Sequence, residues 1–318
     1  MFGFTISRLC GVALMCAAFL TDLQAQRLLP TTFQSNSAMV LIPVNITDRD
    51  GKTIQGLRAQ DFTVLDEHTP QQIASFSSED APCSVGLVLD ISGSMRYALS
   101  TTKRVADVFL KASNPEDEFL MLTVSSVPDA DSRFTTETEA LAQDVQATTP
   151  GGMTALLDTV YLGLNRMRRA TRPRRALLIL SDGMDNESRY SKRELMRLAL
   201  ESDVQVYTIL VDGLTGSSGG GAPFVPSMVA KPWQQAAERE GPLTLKELAE
   251  KTGGLYFHVR NDAEGAEAAA RAARALRNEY VIGYRAPNSG SSGKWHRVQV
   301  KSTVPRARIF ARSGYYAQ

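Results

Sequence analysis

One apolar run stops at a carboxylate and continues into two hydroxyls at alternate positions: Ser84-Val85-Gly86-Leu87-Val88-Leu89-Asp90-Ile91-Ser92-Gly93-Ser94-Met95. Strand periodicity cannot continue through Gly93. The pattern therefore predicts a buried strand that gives way to a helix, with Asp90, Ser92 and Ser94 on the turn between them. Such a turn can aim three oxygens at one point. Two hydroxyls and a carboxylate are hard donors, suited to a small hard cation such as magnesium and not to zinc or copper.

Two later segments supply what this turn lacks. Gly151-Gly152-Met153-Thr154 places a threonine between a flexible turn and a helix. Ala176-Leu177-Leu178-Ile179-Leu180-Ser181-Asp182-Gly183 repeats the arrangement of an apolar strand followed by Asp. In a parallel α/β sheet the strand ends share one rim, so the three segments can converge. This set resembles the von Willebrand factor type A (VWA) domain, whose metal-ion-dependent adhesion site reads D-x-S-x-S, then T, then D. The resemblance covers roughly Cys83 to Asn278. It implies Asp90, Ser92, Ser94, Thr154 and Asp182 as metal ligands. It also implies Mg2+ (Mn2+ or Ca2+ as alternatives) and a partner protein whose Asp or Glu completes the coordination.

From Val85 onward strand and helix patterns alternate. Strands are predicted over Val85–Asp90, Glu118–Ser125, Ser132–Thr136, Ala176–Ser181, Val204–Val211 and Leu255–Val259. Helices are predicted over Tyr97–Ala112, Leu156–Arg168, Lys192–Ser202, Leu245–Thr252 and Ala263–Arg277. The fold class is therefore α/β: a doubly wound, mostly parallel sheet with helices on both faces. The basic cluster Arg168, Arg169 and Arg172 to Arg175 reads as a solvated helix terminus.

Both ends are β-rich. Met39–Ile46, Phe62–Leu65 and Ile73–Phe76 precede the alternating region, and Tyr280–Tyr284, Trp295–Val300 and Ala307–Arg312 follow it. Gly51 is placed where a turn wants positive φ, and Pro43 argues for an edge strand or a bulge. Neither flank is large enough to bury a core alone. The simplest organisation is one β-rich domain built from 36–80 and 279–318, with a VWA domain, 83–278, inserted between. The outer pattern, with Tyr280-x-x-Gly283-Tyr284 and a terminal Gly314-Tyr315-Tyr316, resembles bacterial exported VWFA-related proteins described from acidobacteria. An insertion, 213–242, leaves the metal-facing rim and is expected to lack regular structure, as a solvated flap or a partner-contacting lid.

Residues 1–25 read as a signal peptide: Arg8, then an apolar stretch Leu9 to Leu20, then a small residue, Ala25, suited to cleavage. The apolar stretch is too short to serve as a transmembrane anchor. Cys16 follows Met15, so lipid attachment is not expected. The mature chain would then be secreted or periplasmic and keep one cysteine, Cys83, as a packed thiol. Of 318 residues, 43% are hydrophobic and 22% charged, which excludes wholesale disorder. A net charge of +1 gives no reason to expect nucleic acid as a partner.

Enzymatic readings lack support. His68, His258 and His296 have no metal or triad partners at a recognisable spacing, and neither a G-x-S-x-G elbow nor a phosphate-binding loop is present. The expected function is an exported, divalent-metal-dependent protein-binding module of adhesion type. The alternative is a structural or assembly subunit of an envelope complex, with the VWA domain as scaffold.

Overall fold

The computed structural model describes residues 39–125, 133–212, 232–286 and 293–317, with the side chains of 232–239 left aside. Residues 1–25, read above as a signal peptide, the 213–231 part of the insertion and residues 287–292 lie outside the described residues. Those described fall in one compact unit, Ala38–Gln318.

Its centre is a five-stranded parallel sheet in the order β6-β5-β7-β8-β9. The strands are β5 (Cys83–Asp90), β6 (Glu118–Val124), β7 (Arg174–Ser181), β8 (Gln205–Val211) and β9 (Tyr256–Val259). All eight residues of β5 are buried, because a strand covered on both faces must be apolar throughout. Helices α1 (Leu99–Ala112), α2 (Thr138–Ala147) and α6 (Asp262–Arg277) cover one face, packing on Val85, Leu87, Leu178 and Ile209. Helices α3 (Leu156–Arg166), α4 (Lys192–Glu201) and α5 (Pro232–Thr252) cover the other, on Val88, Leu122, Leu177 and Val206. The predicted doubly wound α/β class is what is observed. Asn261 caps α6, its side chain accepting from Glu264 N at 2.9 Å.

Antiparallel strands from both ends of the chain form two further sheets, β12-β1-β10-β4 and β13-β11-β2-β3. They comprise β1 (Met39–Thr47), β2 (Phe62–Asp66), β3 (Thr69–Gln71), β4 (Ile73–Ser77), β10 (Tyr280–Arg285), β11 (Trp295–Ser302), β12 (Arg308–Ala311) and β13 (Gly314–Tyr316). Ile42, Val44, Val64, Tyr280, Ile282 and Val298 share the core between them. Gly51 has the expected positive φ of 77°, and Asp48 Oδ1 accepts from Asp50 N and Lys52 N to close that turn.

Several local expectations are corrected. β1 is interior to its sheet, not an edge strand. Pro43 is tolerated because β12 pairs only with Val44 to Thr47, leaving Pro43 flanked by β10 alone. Residues 133–136, the described part of the expected strand Ser132–Thr136, form no strand: Thr135 makes an isolated bridge to Phe119. Residues 232–242 of the insertion are helical, so α5 starts thirteen residues before the expected Leu245, with Pro242 inside the helix. Arg174 is not a solvated terminus either. It is 9% exposed and donates to the carbonyls of Leu276, Glu79 and Glu279. Helix α2 and strand β3 were not anticipated. Cys83 is buried as expected, and burial pushes its thiol up.

Candidate functional site

β5 and β7 run side by side with Leu89 level with Leu180, so the residues that follow each strand leave on one rim. Asp90 ends β5 and Ser181 ends β7. The Ser181 hydroxyl donates to Asp90 Oδ2 at 2.5 Å, and Ser92 N donates to Asp90 Oδ1 at 2.9 Å. Beyond the strand the chain tightens into a 3-10 turn, Gly93–Tyr97, anchored by the buried Met95. That turn sets the Ser92 and Ser94 hydroxyl oxygens 3.0 Å apart, with Ser94 beside Asp182, whose carboxyl it holds down against the rise from burial.

The Thr154 loop is locked against this turn by its backbone. Gly93 N donates to Gly152 O at 3.2 Å, and Gly151 N to Ile91 O at 2.8 Å. Thr154 itself is held between strand ends: its N–H donates to Asn186 Oδ1 at 3.0 Å. Its carbonyl accepts from Asn186 N at 3.0 Å and Glu187 N at 3.1 Å. Asp185 Oδ1 accepts from Leu156 N and Leu157 N, satisfying the first free amides of α3. The structure thus gathers Asp90, Ser92, Ser94 and Asp182 on one rim, with Asp90, Ser92 and Ser94 joined by hydrogen bonds. It sets the Thr154 backbone on the loop that abuts them.

Ser181, Asp185 and Asn186 are the positions sequence reasoning missed. Their signal was the polar run Ser181-Asp182-Gly183-Met184-Asp185-Asn186, in which only Asp182 was singled out.

Charge is poorly compensated here. Asp90 is fully buried, and its carboxyl is pushed up to about 6, first by burial and then by the nearby Asp182 charge, against the hydrogen bonds from Ser181 and Ser92. Burial also raises Asp182. Asp182 Oδ1 accepts from Met184 N at 2.9 Å, but Oδ2 is buried with no hydrogen-bond partner. A buried polar atom without a partner is costly unless something absent from the protein supplies one. Two carboxylates and neighbouring hydroxyls offer hard oxygen donors, the chemistry of a magnesium-like ion. Among the described residues no group of three or more His, Cys, Asp and Glu comes together, so hydroxyls are integral to any such shell.

Residues 85–184 match the von Willebrand factor type A domain family. The VWA match runs from the first residues of β5 through the whole cluster. An uncharacterized protein of Borreliella burgdorferi is 26% identical over 114 residues, 35% of this chain and 32% of that protein. The match therefore spans about a third of that relative's length. Among solved structures, a von Willebrand factor type A protein from Catenulispora acidiphila aligns over 90% of this chain and 75% of its own, with 14% identity and a TM-score of 0.48. The conserved hypothetical protein BatB from Bacteroides thetaiotaomicron aligns over 61% of this chain and 98% of its own, at 16% identity and a TM-score of 0.43. The vWF domain of the type V pili tip protein Mfa5 from Porphyromonas gingivalis covers 62% and 94%, at 14% identity and a TM-score of 0.43.

Two histidines find carboxylates that their spacing did not reveal. His258 Nε2 lies 2.6 Å from Asp212 Oδ1 on the surface. His296 Nδ1 lies 3.1 Å from Asp66 Oδ1 inside the β-sandwich, where the Tyr284 and Tyr315 hydroxyls donate to Asp66 Oδ2 at 2.8 and 2.9 Å. That second group ties together β2, β10, β11 and β13.

Proposed function

We propose that this chain is an exported protein-binding module that holds a divalent cation, Mg2+ by donor hardness, through Asp90, Ser92, Ser94, Thr154 and Asp182. The observation that carries the reading is the buried, unpartnered Asp182 Oδ2 beside a second buried carboxylate. A cation would relieve both the missing partner and the like-charge repulsion. Asp90 accepts from Ser92 N and the Ser181 hydroxyl, so besides its place in the proposed shell it fixes the loop. Three of the five proposed ligands are neutral hydroxyls, so a divalent ion there would keep affinity for a further charged oxygen donor. When bound, such an ion would act as a Lewis acid able to accept a carboxylate oxygen from outside the chain. An Asp or Glu of a partner protein meets that demand, and the role is one of binding, not catalysis.

Calorimetric titration with Mn2+ and Mg2+ tests this. Wild-type protein should bind one equivalent, and Asp182→Asn should bind none while keeping its unfolding midpoint without metal. Absence of binding by the wild type at millimolar ion, or equal binding by D182N, would sink the proposal. The scaffold alternative expects partner binding that persists in chelator.

A further inference from the structure

Six large hydrophobic side chains are exposed among the described residues, and three of them stand on segments next to the cluster: two on its loops and one on helix α5. Tyr97, 71% exposed, ends the 3-10 turn that carries Ser94. Met153, 47% exposed, sits between Thr154 and Gly152, the residue that accepts from Gly93 N. Leu243, 62% exposed, follows Pro242, whose nitrogen lies 3.0 Å from where a Cβ on Gly183 would stand, and Gly183 follows Asp182. Single exposed apolar residues need no explanation, but apolar groups gathered round a polar centre mark interaction surfaces. The local geometry makes the contrast sharper: Met95 and Tyr97 share one short turn, yet Met95 is fully buried and Tyr97 faces solvent.

We infer that the cluster and this apolar ring form one docking surface, and that its occupant is a protein segment whose Asp or Glu is flanked on both sides by apolar side chains. The inference rests on the cation reading above, because the ion is what demands the carboxylate. The ring adds what the ion cannot supply, which is selectivity among carboxylates. With a net charge of only +1, the chain has no general field to attract acidic partners. Discrimination must then come from contacts next to the charge, and a desolvated aromatic or aliphatic anchor is the usual source of it. A glycan acid or a polar acidic tail would leave Tyr97, Met153 and Leu243 in water.

The test uses full-length protein loaded with magnesium and two blocked, fluorescently labelled peptides, Gly-Leu-Asp-Leu-Gly and Gly-Ser-Asp-Ser-Gly, read by anisotropy. The apolar-flanked peptide should bind at least tenfold more tightly. The double variant Tyr97→Ser with Leu243→Ser should lose that preference while taking up Mn2+ as wild type does. Equal affinity for the two peptides, or no measurable binding of either, in protein shown calorimetrically to hold its metal would overturn the docking surface alone. Failure to take up metal at all would overturn the cation reading and this surface with it.

Discussion

At the scale of single residues, the candidate site depends on groups that never touch the ion's expected position. Asn186 is the clearest. Its side chain accepts from Thr154 N, and its own N–H donates to Thr154 O, so it fixes where the threonine stands relative to Asp182. Residues that orient ligands typically contribute 10–100-fold to metal affinity. Asn186→Ala should therefore weaken Mn2+ binding by roughly tenfold or more, measured by calorimetry, with little change in the unfolding midpoint. A variant with unchanged Mn2+ affinity would show that the Thr154 loop is set by Gly151 and Gly152 alone. The five ligand candidates were legible in the sequence because each follows a turn or strand with its own local signature. Ser181 was visible only as the end of a strand. Its bond to Asp90, 91 residues away, exists because β5 and β7 are neighbours in register, which no local pattern states.

Among elements, α5 carries the largest departure from expectation. Its first half was expected to lack regular structure as part of the long insertion 213–242, yet the helix runs through Gly241 and Pro242, both poor helix formers. Glycine is required there: a Cβ on Gly241 would lie 1.8 Å from Gly183 O. The helix thus leans on the backbone beside Asp182, while its other end pairs with the β-sandwich through Thr252 and Arg312. Gly241→Ala should destabilise the protein by about 1–3 kcal/mol, the usual effect of overpacking, and should weaken metal binding as well. A lowered unfolding midpoint with wild-type Mn2+ affinity would separate the helix from the site. The β2–β3 hairpin escaped notice for a related reason. Its two central residues, Glu67 and His68, have positive φ, where a sequence normally advertises Asn or Gly.

For the whole molecule, the junction between the parallel sheet and the β-sandwich is polar and buried. Arg174 lies 4.0 Å from Glu279, and Asn45 donates to the Tyr207 hydroxyl at 2.7 Å. Burial pushes the Glu279 carboxyl up to about 7, against the attraction of Arg174. A carboxyl whose folded value is raised holds its proton more tightly in the folded state. Its contribution to stability is fully present below the unfolded value of about 4.5 and is lost as pH rises through about 7. Glu279→Gln should remove that loss, so its unfolding midpoint should exceed wild type increasingly between pH 5 and pH 7.5 on the order of the linkage window. Parallel midpoint curves for the two proteins across that range would show that Glu279 does not titrate there. Arg174 keeps three carbonyl partners in the variant, so it is not left without hydrogen bonds.

Sequence alone determined what depends on nearest neighbours along the chain. The unbroken apolar run of β5 specified a strand covered on both faces. The sequence also put Asp90, Ser92, Ser94 and Asp182 at or just after the ends of two apolar strands. Only the tertiary structure decided which strands lie side by side. That choice turned Arg174 from a surface charge into the buried partner of Glu279, allowed Pro43 inside an interior strand, and brought Gly241 against Gly183. The physical reason is the same in each case. Periodicity records that a side chain will be buried, whereas strand order and helix crossing record what it will be buried against, and those depend on packing between segments far apart in sequence.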